Sequence, residues 1–124
     1  MSDGNHFEAE LSGTVTVIRV LPDAIQWLRG LADARSPAFQ GELTALLDAA
    51  PGPVVLDLGR APFLNSDGIA VLIRVCHQLH AKGTRFGVRA GGEIVRVFEL
   101  TKLAKLFPCG ADLPTVIAQV SAGE

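Results

Sequence analysis

The stretch Val54–Gly83 constrains this chain more than any other. It opens with Val54-Val55-Leu56-Asp57-Leu58-Gly59, set between Pro53 and Arg60. A run this short, this apolar and this rich in β-branched residues predicts a strand buried on both faces. After Ala61-Pro62-Phe63-Leu64 comes Asn65-Ser66-Asp67-Gly68, which begins with three good helix-capping side chains. Apolar residues then fall at Ile69, Leu72, Ile73, Cys76 and Leu79, while Arg74, His77, Gln78 and Lys82 take the other side. That is the spacing of an amphipathic helix. Strand, polar turn and helix in this order place the hydroxyl of Ser66 at a helix N-terminus, where backbone N–H groups lack intrahelical partners and the dipole is positive. A helix of about four turns is long enough to return the chain to the same sheet edge. The Val54–Leu58 strand is therefore expected to lie parallel to the next one, Arg85–Val88, with the helix as crossover.

The flanking segments extend the same alternation. Val15–Leu21 and Ala24–Gly30, separated by Pro22-Asp23, read as a hairpin near a sheet edge, and Phe7–Leu11 reads as a weak flanking piece. Ser36-Pro37 caps and starts a helix carrying Phe39, Leu43, Leu46 and Leu47, which Pro51-Gly52-Pro53 stops. Beyond Gly83, which suits a helix C-cap, Thr84–Arg89 is a fourth strand and Glu93–Thr101 a third helix. Leu103–Phe107 is expected to form a short fifth strand, and Asp112 to cap a last helix with Leu113, Val116, Ile117 and Val120. Strands alternating with helices predict an α/β fold: a mixed sheet of four to five strands, an N-terminal hairpin plus parallel members, covered by about four helices. At 124 residues the chain is one domain's worth. Its core is expected to span residues 15–120, with residues 1–12 as a flexible tail.

Composition narrows the function. The formal charge is −2 and the basic residues are scattered singly, whereas nucleic-acid binding needs a concentrated basic face. No apolar run is long enough to span a bilayer, and Met1–His6 has neither the basic flank nor the apolar core of a secretory signal. A cytoplasmic protein without membrane insertion is expected, with Cys76 and Cys109 as free thiols. Cys76 and His80 stand four apart on the central helix, but no third ligand is clustered with them in sequence, so Cys76 is read as a buried core residue and no metal site is expected. Neither phosphate-cradling glycine spacing is present, so no cofactor is expected. Asp57 and Asp67 form an acid–base pair only on paper, and Ser66 has no histidine nearby in sequence to activate it. Ser66 therefore reads as another enzyme's substrate, in a chain that is not itself an enzyme.

Val54–Gly68 resembles the signature of the STAS domain, the family of anti-sigma factor antagonists and of sulfate-transporter tails: an apolar strand ending in an aspartate, a short loop, then Asp-Ser-x-Gly opening a helix. Here the last part reads Asn65-Ser66-Asp67-Gly68, with an asparagine where the family has an aspartate. Gly30-Leu31-Ala32-Asp33 resembles the family's Gly-x-x-Asp after the second strand. Leu100-Thr101 resembles its leucine-threonine pair, with Lys102 where a glycine is usual. The resemblance covers about Val15–Val120. It implies a single STAS-like domain over residues 1–124 in which Ser66 is phosphorylated. The implied partner is an anti-sigma factor with serine kinase activity, bound when Ser66 is unmodified, and a phosphatase is the expected counterpart. The surface expected to meet that partner comprises Asp33, Ser36, Phe63, Asn65, Ser66, Asp67, Gly68, Arg74 and His77. Asn65 keeps the capping ability and removes a charge beside the serine. That favours, as the alternative, a non-phosphorylated STAS scaffold or a subunit of an ABC-type lipid transporter.

Overall fold

The computed structural model describes residues 7–20, 37–59 and 66–121. In chain order these form β1 (Phe7–Ser12), β2 (Val15–Val20), α1 (Pro37–Ala49), β3 (Val54–Asp57), α2 (Ser66–Ala81), β4 (Phe86–Arg89), α3 (Gly92–Leu100), a 3-10 turn (Leu103–Lys105), β5 (Cys109–Gly110) and α4 (Leu113–Ser121). The five strands lie in the order β1-β2-β3-β4-β5. β1 runs antiparallel to β2, and β2, β3, β4 and β5 are mutually parallel. As expected, β3 is central and parallel to β4, with α2 between them in sequence.

Alternation along the strands decides what covers each face. Ile18, Val20, Val54, Leu56, Phe86 and Val88 join Leu43 and Leu47 of α1, Leu72, Val75 and Leu79 of α2, and Ile94 and Phe98 of α3 in one core. On the opposite face Val15, Val17 and Val55 pack against Val116 and Val120 of α4. Phe107 completes the larger core by meeting Phe86 and Phe98 edge-on, with ring centroids 5.2 and 5.7 Å away. Each such side chain contributes about 1.5–3 kcal/mol by leaving water.

Three features differ from the sequence pattern. The hairpin is β1–β2, joined through Gly13 at φ +64°. Val15–Val20 pairs with β1 on one edge and β3 on the other; Ala24–Gly30, the expected hairpin partner, lie outside the described residues. The core reaches back to Phe7, which is buried, and the flanking piece read at Phe7–Leu11 is β1, so residues 7–12 belong to the sheet rather than to a tail. Leu103–Phe107 is not the fifth strand: Leu103–Lys105 is a 3-10 turn, and β5 is the pair Cys109–Gly110, placed by the Val88 amide donating to Pro108 O at 2.9 Å. Lys102, which precedes that turn, has φ 66° and ψ 11°. A left-handed backbone is the reason a glycine suits this position.

Helix ends are closed by specific groups. Gly83 at φ +79° ends α2, and its amide donates to His80 O at 2.9 Å. Lys82 Nζ donates to Leu47 O at 2.7 Å and Asp48 O at 3.2 Å, setting a cation on the last carbonyls of α1. Asp112 caps α4 by accepting the Thr115 amide at 3.1 Å.

Gly87 lies where α4 crosses β4, and a Cβ there would stand 2.7 Å from Val120 Cγ1 and 2.9 Å from Val116 Cγ1. Valine has little χ1 freedom in a helix, so Gly87→Ala is expected to destabilise the fold by about 1–3 kcal/mol in urea unfolding. Adding Val120→Ala should return part of that loss as a coupling energy. Lys102→Gly is expected to act in the other direction. Relief of a left-handed lysine outweighs the added freedom of the unfolded chain, for a net gain of about 0.5–1 kcal/mol.

Candidate partner-binding site

Ser66 is the first residue of α2, and β3 ends at Asp57, so the serine lies beyond the carboxyl ends of the parallel strands. Crevices that recognise other molecules in parallel α/β sheets gather at that edge. The buried stripe of α2 is Val71, Leu72, Val75 and Leu79. At 100° per residue, positions 66, 70, 73 and 77 form the row opposite it. Along that row Ala70 and His77 are exposed and Ile73 is half-buried. Arg74 is exposed and flanks the row on the side of α1, where it borders a shallow cleft with Leu43, Leu47 and Gln78. From Ala70 to His77 this side of α2 is therefore partly open, and Arg74 borders it.

The carboxyl end of β3 carries a group of charges. Arg19, Asp57 and Arg89 are register partners across β2, β3 and β4. Asp57 is 7% exposed, and its Oδ1 accepts Arg89 Nη1 at 3.2 Å and the Gly59 amide at 2.9 Å. Arg19 Nε stands 3.9 Å from Oδ2, and Arg19 also pairs with Glu10 and, at 4.0 Å, with Glu8. Arg89 Nε donates to Ala111 O at 3.1 Å, tying in the residue before Asp112. The hydrogen bonds from Thr115, above all, and the charge of Arg89 hold the Asp112 carboxyl below the usual carboxylate range. The acid–base pair of Asp57 with Asp67 is thus replaced at Asp57 by a pair of arginines. Sequence reading missed Arg19 and Arg89 as its partners, taking Arg19 as an edge-strand residue. The signal was their common place at or near the ends of three adjacent strands, which shows only once the register is known.

The family model of the STAS domain matches residues 30–116. The chain belongs to the STAS domain family. BtrV of Bordetella bronchiseptica, a protein named for anti-sigma factor antagonism, is 31% identical over 86 residues, covering 68% of this chain and 74% of the relative. An anti-sigma factor antagonist from Mycobacterium paratuberculosis has the same fold at TM-score 0.68 and 26% identity, covering 97% of both chains. The Bacillus cell fate determinant SpoIIAA, in its phosphorylated form, superposes at TM-score 0.56 with 19% identity over 92% of this chain and 98% of its own.

Of the residues the sequence marks for partner binding, Ser66, Asp67 and Gly68 form the first turn of α2, and Arg74 and His77 are exposed further along this helix of the STAS domain. Asp33, Ser36, Phe63 and Asn65 lie outside the described residues. Cys76 is half-buried, and so is less enclosed than the expected core cysteine; its Sγ lies 3.8 Å from Leu106 O. It borders a cleft of about 390 Å3 with His80, Arg85, Phe86, Leu106 and Pro108. Among the described residues no three His, Cys, Asp or Glu side chains converge as metal ligands, and no helix is long and apolar enough to cross a membrane.

Burial raises the pKa of Cys76, and burial together with the Glu99 carboxylate raises that of Cys109. A raised thiol pKa means less thiolate at neutral pH. Both cysteines are therefore expected to react with iodoacetamide more slowly than free cysteine, with rates that climb only in alkaline buffer, as peptide mass spectrometry would show.

Proposed function

We propose that this STAS domain is an anti-sigma factor antagonist switched by phosphate at Ser66. Unmodified, it binds an anti-sigma factor and frees the sigma factor that partner holds. The partner, acting as an ATP-dependent serine kinase, transfers the γ-phosphoryl group of ATP to the Ser66 hydroxyl, leaving ADP, and a phosphatase restores the hydroxyl by hydrolysing the phosphoserine to release inorganic phosphate. The chain is a binding module in this reading and a substrate of enzymes rather than one itself. It works in the cytoplasm, where a sigma factor acts.

The observation that carries the reading is the place of Ser66 as the first residue of α2, at the head of a helical row that is partly open from Ala70 to His77. The names of the Bordetella and Mycobacterium relatives supply the partner class. A phosphate there adds about 1.5–2 negative charges without changing the fold. A like charge about 4 Å away on a partner surface costs on the order of 4 kcal/mol at an effective dielectric of about 20. Since about 1.4 kcal/mol is tenfold, one phosphate facing an acidic surface is enough to end binding.

Incubation with the serine-kinase anti-sigma factor encoded nearest this chain's gene, with ATP, is expected to place one phosphate on Ser66 by mass spectrometry. Ser66→Ala should bind the partner as the unmodified chain does. Ser66→Asp and Ser66→Glu should bind more weakly, though less so than the phosphorylated chain, because a carboxylate carries less charge. A phosphate on another residue, or none, would move the reading to a scaffold that works without phosphorylation.

A further inference from the structure

We propose that the outer edge of β1 binds an extended segment of another protein as an added strand, one whose side chains are alternately cationic and apolar. This surface is a second one, independent of the switch read at Ser66.

Pairing with β2 leaves backbone groups of β1 unused. Gly13-Thr14 is the turn between the paired residues Ser12 and Val15, and the pair that closes so short a hairpin turn is hydrogen-bonded. Alternation then gives the bonds with β2 to Glu10 and Glu8, and turns the N–H and C=O groups of Ala9 and Leu11 outward. The amide of Phe7 fits this phase, since it reaches out of the strand to Glu42 Oε2 of α1 at 3.2 Å. Among the described residues no strand lies beyond β1, and every residue from Glu8 to Ser12 is exposed. Ala9 and Leu11 thus each offer a donor and an acceptor to a segment laid alongside, and such main-chain bonds supply the affinity of an added strand.

The two faces of this edge select different side chains in the segment that joins it. Glu8 and Glu10 stand on the face of Arg19 and Val17. Arg19 pairs with both glutamates and also approaches Asp57, so one cation answers two exposed carboxylates and negative charge is left over. A lysine or arginine set opposite either glutamate makes a favourable cross-strand pair, and a carboxylate there an unfavourable one. Ala9 and Leu11 stand on the other face, with Ile18 and Thr16. There Leu11, Ala9, Leu46, Ala49 and Pro51 border a groove of about 300 Å3 between the hairpin and the end of α1. Apolar side chains opposite Ala9 and Leu11 lie along that groove. It sits by the amino ends of β2 and β3, whereas Ser66 lies beyond their carboxyl ends.

The probe is a capped hexapeptide of alternating lysine and valine, with the matching glutamate–valine peptide as control, added to the full chain. Hydrogen exchange read by NMR is expected to slow at the Ala9 and Leu11 amides and to stay unchanged along α2, as protection confined to one edge requires. Fluorescence anisotropy should show the lysine peptide binding about tenfold more tightly than the glutamate peptide at low salt, and Glu8→Gln combined with Glu10→Gln should erase most of that difference. Ala9→Pro removes an outward amide and leaves the bonds to β2 in place, so it should weaken the lysine peptide about tenfold. If that variant does not fold, Leu11→Lys, at an exposed position, takes its place and should weaken the same peptide by a similar factor through like charge. Unchanged exchange at Ala9 and Leu11, or equal affinity for the two peptides, would overturn the proposal. So would self-association of the chain in sedimentation that Ala9→Pro disperses, since the occupant of this edge is then a second copy.

Discussion

Everything in this fold is placed by the burial of β3 on both of its faces. Val54, Val55, Leu56 and Leu58 are all essentially inaccessible to solvent. A strand apolar on one side needs one covering layer; a strand apolar on both needs two. That demand puts α1, α2 and α3 over one face and α4 over the other, and parallel neighbours supply the crossovers that deliver helices to those faces. Once the middle of the sheet is dry, polar chemistry moves to its carboxyl edge. There the strands stop, the helices begin, and Asp57 is the side chain that stands in both regions.

The helix that carries Ser66 was legible in its extent and less so in its rotation. Its boundaries, Ser66–Ala81, follow from the capping run before it and Gly83 after it. Its buried stripe does not follow as directly, because Ile69, Val71, Leu72, Ile73, Val75, Cys76 and Leu79 cover more than one face. The pattern through Ile69, Ile73 and Cys76 lies at the flank of the true stripe, which centres on Val71, Leu72, Val75 and Leu79. With so many apolar positions, tertiary packing decides which of them are central. The outcome leaves Ile73 partly open beside His77, on the row that begins with Ser66.

Elsewhere the misreadings share a cause: contacts distant in sequence override local pattern. Leu103–Phe107 has the apolar density of a strand, yet Phe107 is claimed by Phe86 and Phe98, and the chain coils through a 3-10 turn to bring it there. Phe7–Ser12 alternates weakly and looked expendable, but β2 offers it a free edge and the larger core offers Phe7 a place. Arg19 and Arg89 are unremarkable singly and become partners of Asp57 only through the register of three strands. Of the candidate surface, the helical part of the Ser66 motif was legible because capping and periodicity are local. The ion-pair cluster around Asp57 was not, because register is not.

The edge position of β1 bears on how the molecule behaves in company. Among the described residues no strand pairs with its outer side, and Leu11 is 61% exposed there. A sheet edge of this kind invites a second copy to extend it. An antiparallel copy that keeps the two faces aligned, centred on Glu8, Ala9 or Glu10, sets a glutamate directly against a glutamate, and like charges so placed are destabilising. Arg19, one cation shared by Glu8 and Glu10, leaves an excess negative charge to enforce this. The strand that completes the fold thus carries charges that disfavour these registers of pairing between copies.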